Sequence, residues 1–349
     1  MAAPLALRPP TPALSFIVRA LITALVMQGC GDPPRTSPEI PPLRTVELGA
    51  DALFLGVFGI PDEGVWIVGG GPDGGVVVHA NGGVLQNEDT PTGPTLWWVH
   101  GLDRDHLWAV GEAGRILRRT ASGWASEESG LNDKAVLWGI WAAAENDLWA
   151  VGGSYRRGGP KALVLRSRGD GQWRMVTDVT FPPDFNFYKV WGARPDDVHI
   201  VGEGGVTVHW DGTRFSRRDT GVSDLLFTVH GRASGPHITV GGAGNGLAFS
   251  LEDNKWSRER LPVHLGLNGV YVRSDGTTLA CGERGVLLAR AVDGEWFTVT
   301  QDALNTVGHR TLHAVWGDQT VWAVGGDMTQ GTDGVILTSD QSIMRVESP

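Results

Sequence analysis

The feature that most constrains this chain is a repeat that recurs seven times. Each copy has an apolar run, a polar turn and a second apolar run that ends in glycine. The glycines at that position lie 42, 41, 50, 39, 41 and 43 residues apart. They are Gly69, Gly111, Gly152, Gly202, Gly241, Gly282 and Gly325, here called the marker glycines. A repeat of this period predicts units that bury their apolar faces against neighbouring units.

The repeat predicts β-structure. The runs are short, rich in Val, Ile, Leu and Trp, and bounded by Gly, Asp and Asn, which is typical of strands and turns. Four such strands per copy predict an all-β fold, a seven-bladed β-propeller with four-stranded antiparallel blades of about 40–50 residues. The first strand of each blade, strand A, is expected to start at Phe54, Leu96, Leu137, Phe187, Leu226, Leu267 and Leu312. The outermost strand D is expected near Trp124, Trp173, Phe215, Trp256 and Trp296.

Closing the ring requires a fourth strand for the last blade, and two segments compete for that place. Residues 45–48 precede the first strand A where a strand D should stand, and residues 343–346 follow the last strand C. The sequence leaves both alternatives open.

The first 43 residues predict export and a tether. Arg8 and Arg19 precede a short apolar stretch, residues 20–27, of signal-peptide length. Residues 25–30 resemble a bacterial lipobox, which implies a signal peptide over 1–29 and acylation of Cys30. An ordinary secretory signal with an incidental cysteine is the alternative. The proline-rich residues 30–43 then form a spacer before the propeller, residues 44–349.

Location follows from that resemblance. Gly31 rather than Asp follows Cys30, so the best-known inner-membrane retention signal is absent from its key position. We therefore expect an outer-membrane anchor, facing the periplasm or the surface. Cys281, the other cysteine, lies in an apolar run and is expected to be buried.

Charge excludes one class of partner. The net charge is −10 and the chain has no basic block, whereas nucleic-acid binding requires clustered Lys and Arg. We expect no nucleic-acid partner, and membrane contact only through the N-terminal lipid.

The repeat resembles the BNR or Asp-box propellers, and more closely the photosystem II assembly-factor type. Residues 107–116 (LWAVGEAGRI) match the sequence pattern W-A-V-G-x-x-G-x-I, which is typical of that type. Degenerate boxes lie at 170–173, 211–215, 253–256 and 293–296. The resemblance covers about residues 45–349 and implies a box Asp that bonds its own hairpin and a Trp packed between blades. It implies fold rather than function.

Candidate binding residues lie in the loops that join strands B and C, which should share one face. Glu112, Glu203 and Glu283 follow marker glycines, either as an acidic collar for a cationic partner or as caps of tight turns. The blade-three loop adds a basic-aromatic cluster for a protein or an acidic glycan. Its members are Tyr155, Arg156, Arg157 and Lys161.

Strand A carries an aromatic residue or His four positions after its start in every blade. These residues are Phe58, His100, Trp141, Trp191, His230, Tyr271 and Trp316. They could stack on a ligand, but packing between twisted sheets is the favoured interpretation.

No nucleophile motif, metal-ligand spacing or phosphate-binding loop is evident, so we expect no catalysis, no cofactor and no metal. A sialidase-like site would also need an arginine trio and a suitably placed tyrosine. Two functions remain: a non-catalytic binding or scaffold protein of the cell envelope, and a carbohydrate-binding or carbohydrate-cleaving surface protein. An open funnel with paired carboxylates would favour the second.

Overall fold

Seven antiparallel sheets form a seven-bladed β-propeller in the computed structural model, which describes residues 36–48, 51–177 and 185–347. Helix within these ranges is limited to α1 (Asp302–Asn305) and two 3-10 turns, Glu203–Gly205 and Glu283–Gly285. None of the described helices is long and apolar enough to cross a membrane. The predicted fold class is confirmed.

Strands A to D follow one another in the sheets in sequence order. Blade one comprises β2 (Leu53–Ile60), β3 (Gly64–Gly71), β4 (Gly74–Asn81) and β5 (Val84–Asn87). Blade two comprises β6 (Leu96–Asp103), β7 (His106–Gly111), β8 (Ile116–Thr120) and β9 (Gly123–Glu127). Blade three comprises β10 (Val136–Ala144), β11 (Asp147–Gly153), β12 (Leu163–Ser167) and β13 (Trp173–Met175). Blade four comprises β14 (Phe187–Arg194), β15 (Asp197–Gly202), β16 (Val206–Trp210) and β17 (Phe215–Asp219). Blade five comprises β18 (Leu226–His230), β19 (His237–Gly241), β20 (Leu247–Glu252) and β21 (Lys255–Arg258). Blade six comprises β22 (Leu267–Val272), β23 (Thr278–Gly282), β24 (Leu287–Arg290) and β25 (Trp296–Thr298). The predicted starts of strand A agree with these bounds to within one residue.

The two ends of the described chain join different blades. Blade seven consists of β26 (Thr311–Trp316), β27 (Trp322–Asp327), β28 (Thr332–Thr338) and, as its strand D, β1 (Arg44–Val46). The strand β1 pairs antiparallel with β28, from Arg44 opposite Thr338 to Val46 opposite Ile336. The strand β29 (Arg345–Glu347) pairs parallel with β5 as a fifth strand of blade one. The N-terminal segment therefore closes the ring, which resolves the two alternatives.

The marker glycines have a steric cause. Each is paired with the first core residue of strand A, as Gly241 is with Leu226. A Cβ on Gly241 would lie 2.0 Å from the carbonyl oxygen of Leu225, and the corresponding distances at the other six are 1.8–2.1 Å. Real Cβ atoms do not approach backbone oxygens this closely, so the repeat requires glycine here.

Tryptophans of strand D connect neighbouring blades. The indole N–H of Trp173 donates to Glu127 of the preceding blade at 2.8 Å, and Trp124 and Trp296 donate to Glu88 and Glu259 in the same way at 2.5 Å. In blade five the acceptor is instead the hydroxyl of Thr207, at 2.9 Å. These contacts satisfy a buried polar group while the ring fills the space between sheets.

Gly241→Ala should destabilise the propeller by about 3 kcal/mol or more, because the new Cβ must displace backbone. Gly130→Ala is the matched control. Gly130 has open space around its Cβ position and a φ of 72°, so alanine there costs only the left-handed conformation, about 1–2 kcal/mol. Denaturant unfolding of both variants measures the difference, and equal losses would contradict the steric explanation.

Val46→Asp should also destabilise by more than about 3 kcal/mol, because it places a carboxylate in the buried closing strand. Glu47→Ala alters the exposed neighbouring residue and should leave the thermal midpoint almost unchanged. If Val46→Asp unfolds at the same temperature as the unaltered chain, closure by β1 is wrong.

Candidate functional site

A cavity of about 370 Å³ lies at the centre of the ring on the face of the B–C loops. Its rim includes Tyr155, Ala243, Glu283 and Met328, each shortly after a marker glycine of a different blade. Its wall consists of residues from the start of strand A. The cavity is therefore framed by equivalent positions of several blades.

A β-bulge in every strand A positions the wall residues. In blade three Leu137 pairs with Gly152 and Gly139 pairs with Val151, so Trp138 has no partner. A bulge changes the direction of a side chain. The seven bulged residues are Leu55, Trp97, Trp138, Tyr188, Phe227, Asn268 and His313. All of them except Leu55 line the cavity.

The bulged aromatic side chains form a continuous arc. Ring centroids lie 5.8 Å apart between His313 and Trp97, and 6.5 Å apart between Trp97 and Trp138. The arc continues to Tyr188 at 5.2 Å and to Phe227 at 5.5 Å. This wall offers flat apolar surface to a ligand.

A buried lysine lies at the floor. The side-chain nitrogen of Lys189 donates to the carbonyl of Trp138 at 3.0 Å and lies 3.3 Å from the centroid of the Trp98 ring. Burial lowers its pKa well below the usual value. Among the described residues, the Trp138 carbonyl is the one hydrogen-bond acceptor of the Lys189 side chain. The Lys189 nitrogen can therefore still donate to a ligand. Burial also lowers the pKa of His313, to about 4.

The aromatic residues predicted at the end of strand A lie beyond Lys189 and close the channel. All seven surround a space of only about 50 Å³. His100 accepts the backbone N–H of Ala142 at 3.2 Å, and His230 accepts that of Val272 at 2.9 Å. Burial lowers the pKa of both imidazoles to about 3, so they are neutral links between blades. These contacts match the favoured packing interpretation.

The blade-three loop, residues 154–162, borders the cavity. Tyr155 is 58% exposed, and its hydroxyl donates to Glu112 at 3.0 Å. The Arg156 guanidinium lies 5.8 Å from the Tyr155 ring and donates to a backbone carbonyl, while Arg157 is exposed. The Lys161 ammonium lies 3.9 Å from Glu203. Two members of the predicted cluster, Tyr155 and Lys161, thus contact different glutamates.

The three predicted glutamates are already hydrogen-bonded within the chain. Glu203 accepts from the backbone and side-chain amides of Asn186, both at 2.8 Å, and from the Tyr188 hydroxyl at 3.0 Å. Glu283 accepts from the backbone N–H groups of Gly244 and Gly266 at 2.9 and 3.0 Å. These contacts are those of the turn-capping alternative. Recruitment of a cationic partner stays a prediction.

Two groups of residues were missed from the sequence. The bulged aromatics stand one residue after the start of strand A, whereas the sequence analysis singled out the position three residues further on. A second group, Asp197, His199 and His237, has ligand-type atoms within 4.8 Å of one another and could hold a metal ion. It lies between blades four and five, and the expectation of no metal stays a prediction. The predicted lipidation site, Cys30, lies outside the described residues.

Comparisons with known proteins identify the fold. No protein-family model and no curated protein sequence matches the chain. YCF48 bound to a D1 peptide is a similar solved structure, with a TM-score of 0.65 and 14% identity over 86% of this chain and 98% of that one. Virginiamycin B lyase from Staphylococcus aureus has a TM-score of 0.67 and 11% identity over 85% and 98%. The WD40 propeller domain of Doa1 has a TM-score of 0.65 and 11% identity over 88% and 98%. At these identities the likeness is one of architecture: the chain folds as these propellers do.

Proposed function

We propose that this chain is an exported, lipid-anchored protein of the cell envelope that binds a segment of another protein in the central cavity. One wall of the binding site is the Tyr155 loop. The observation that carries the proposal is the open cavity of about 370 Å³ with its arc of bulged aromatic rings. The location in the envelope is proposed from the predicted export signal and from Cys30.

The cavity has the dimensions of a binding site for side chains. Ligand pockets are commonly about 300–1,000 Å³, mostly apolar, with a few polar groups that fix orientation. Trp97, Trp138 and Phe227 supply apolar surface here, and Lys189 supplies a donor at the floor. The closed channel beyond Lys189 limits the depth, which suits one or two anchoring side chains rather than a threaded chain.

One exposed cation and one buried hydrogen-bond donor indicate which segment fits. Arg157 is exposed on the loop beside the cavity, and Lys189 at the floor needs an acceptor for its remaining N–H groups. We therefore propose a partner segment with an apolar or aromatic anchor and nearby carboxylates. The solved complex of YCF48 with a D1 peptide supports the idea that a propeller of this shape can present a peptide site.

A carbohydrate ligand is the second candidate. The aromatic arc and the open cavity are suitable for stacking on sugar rings. Hydrolysis would require two carboxylates placed across the bond, whereas Glu283 is the carboxylate that lines the cavity among the described residues. The second candidate is therefore glycan binding without cleavage.

Capture from envelope extract should separate these functions. The full chain in detergent is expected to retain one protein, and Phe227→Ala with Tyr155→Ala should weaken that binding at least about 30-fold, as loss of aromatic anchors does. A variant with Arg156, Arg157 and Lys161 changed to Ser should slow association with an acidic segment. Val292→Ala, at an exposed strand C–D turn on the other face, is the control and should bind normally.

The partner is confirmed when tiled peptides from it bind the unaltered chain and the Val292→Ala variant but not the cavity variant. If no protein is retained, and a glycan array is bound in a manner sensitive to Phe227→Ala, the protein-binding proposal is wrong and the glycan alternative replaces it.

Lipid anchoring has a matched test, because the chain contains two cysteines. Cys30→Ser should abolish incorporation of labelled palmitate and move the protein from the membrane fraction to the soluble fraction. Cys281→Ser should change neither, because Cys281 is fully buried in the propeller. Membrane retention and labelling of the Cys30→Ser variant would refute lipid anchoring.

A further inference from the structure

A polar cluster between blades four and five lies apart from the central cavity. Asp197 and His199 belong to β15 of blade four, and His237 begins β19 of blade five. Each side chain offers one ligand atom, and these atoms lie within 4.8 Å of one another. The starts of these B strands lie at the A–B turns, so the cluster is on the face opposite the B–C loops.

The two histidines depart from the repeat. The register places Trp66, Trp108, Trp149 and Trp322 at the position of His199, and Ile238 and Leu279 in the remaining blades. The position of His237 holds Val65, Leu107, Leu148, Val198, Thr278 and Val321 in the other blades. Packing of the repeat therefore does not require an imidazole at either place.

The distances suit a metal ion. The Asp197 Oδ1 and His199 Nε2 atoms are 3.1 Å apart. Two ligand atoms that each lie about 2.1 Å from a tetrahedral metal ion are separated by about 3.4 Å, so this pair needs to open by only about 0.3 Å. The third ligand needs a side-chain movement of no more than about 1–2 Å to reach the same ion. Two imidazoles and one carboxylate form a donor set that first-row transition metals accept.

Neighbouring groups orient the ligands. His237 donates through Nε2 to the Arg232 carbonyl at 3.1 Å, which leaves Nδ1 available as the ligand atom. His209 receives a hydrogen bond on Nδ1 from Arg218 and donates through Nε2 to Asp197 at 2.8 Å. Metal-binding carboxylates are commonly held by such outer hydrogen bonds.

A charged side chain also faces the cluster. Arg218 is a cation facing the cluster, but its guanidinium is directed to His209 and to Asn254 at 2.8 Å. His199 Nε2 and Asp197 Oδ1 are hydrogen-bonded to each other, so the ion would take the place of the proton between them.

We propose that Asp197, His199 and His237 bind a divalent first-row transition-metal ion, with Zn²⁺ as the probe. Because His237 comes from the next blade, the ion links blades four and five. Trp191 and Trp256 cover the inner side, with Trp191 centred 5.0 Å from the His237 ring and Trp256 centred 6.4 Å from the His199 ring. Asp197 and His237 are partly exposed, so coordination positions remain for water on the outer side.

The test uses the full chain without a histidine tag, stripped of metal by a chelator and titrated with ZnCl₂ in a calorimeter. One ion should bind per chain, and Zn²⁺ should raise the thermal midpoint. His237→Asn should weaken binding at least about 100-fold, beyond the effect of losing an outer-shell partner. His106→Asn is the matched control, because His106 also lies beside carboxylates at the start of a B strand and should leave binding unchanged.

Co²⁺ provides a readout that does not depend on a variant. Binding at this site should give a visible absorption band that Zn²⁺ removes, and His237→Asn should abolish the band. The proposal is overturned if the unaltered chain gives no saturable Zn²⁺ binding, if several weak ions bind per chain, or if correctly folded His237→Asn binds as tightly. Should His237→Asn fail to fold by circular dichroism, Asp197→Asn takes its place in both titrations, and a correctly folded Asp197→Asn that keeps the Co²⁺ band would overturn the proposal.

Discussion

The close approach of strand B to strand A at the marker glycine is the contact on which both the blades and the cavity depend. The residue after the glycine donates its N–H to the carbonyl just before the core of strand A, as Glu203 does to Asn186 at 2.9 Å and Gly242 to Leu225 at 2.9 Å. This contact fixes where each B–C loop leaves its blade. The bulge follows directly in strand A, so the same contact also determines which side chain faces the centre.

The ring is held by contacts between blades as well as within them. The indole donations to glutamates cross from one blade to the previous one, and Arg290 adds a guanidinium to the Glu259 carboxylate at 2.6 Å. Apolar packing provides the other contacts between blades. The core clusters contain side chains from adjacent sheets, such as Trp149 with Val201 and Val315 with Leu279. Each blade thus buries its apolar faces only in the presence of its neighbours.

Architecture could be predicted because its cause is local and repeated. The linear sequence shows three local signs of the repeat: a glycine where a Cβ cannot be accommodated, an aromatic residue at the start of strand D, and a nearly constant period. The bulge could not be predicted, because an additional residue in one strand leaves no characteristic residue type in the sequence. Trp138 and Trp141 are both aromatic residues of one strand, yet only the pairing register shows that Trp138 lines the cavity.

The cluster between blades four and five was hidden for a different reason. Asp197 and His237 are separated by a whole repeat, and only the lateral packing of sheets brings them together. Conversely, the glutamates after the marker glycines were visible in the sequence because they follow a recurring residue. Their partners, such as the backbone amides around Glu283, could be identified only from the conformation of the neighbouring loops.

The position of β1 has a consequence for orientation. Arg44 lies opposite Thr338, at the edge where the A–B turns lie, and the Glu39 carbonyl accepts from Arg273 at the A–B turn of blade six. The N-terminal segment therefore joins the ring on the side opposite the B–C loops. The strand that closes the ring is therefore entered from one face of the propeller while the central cavity opens on the other, and the Asp197 cluster shares the face of the entering segment.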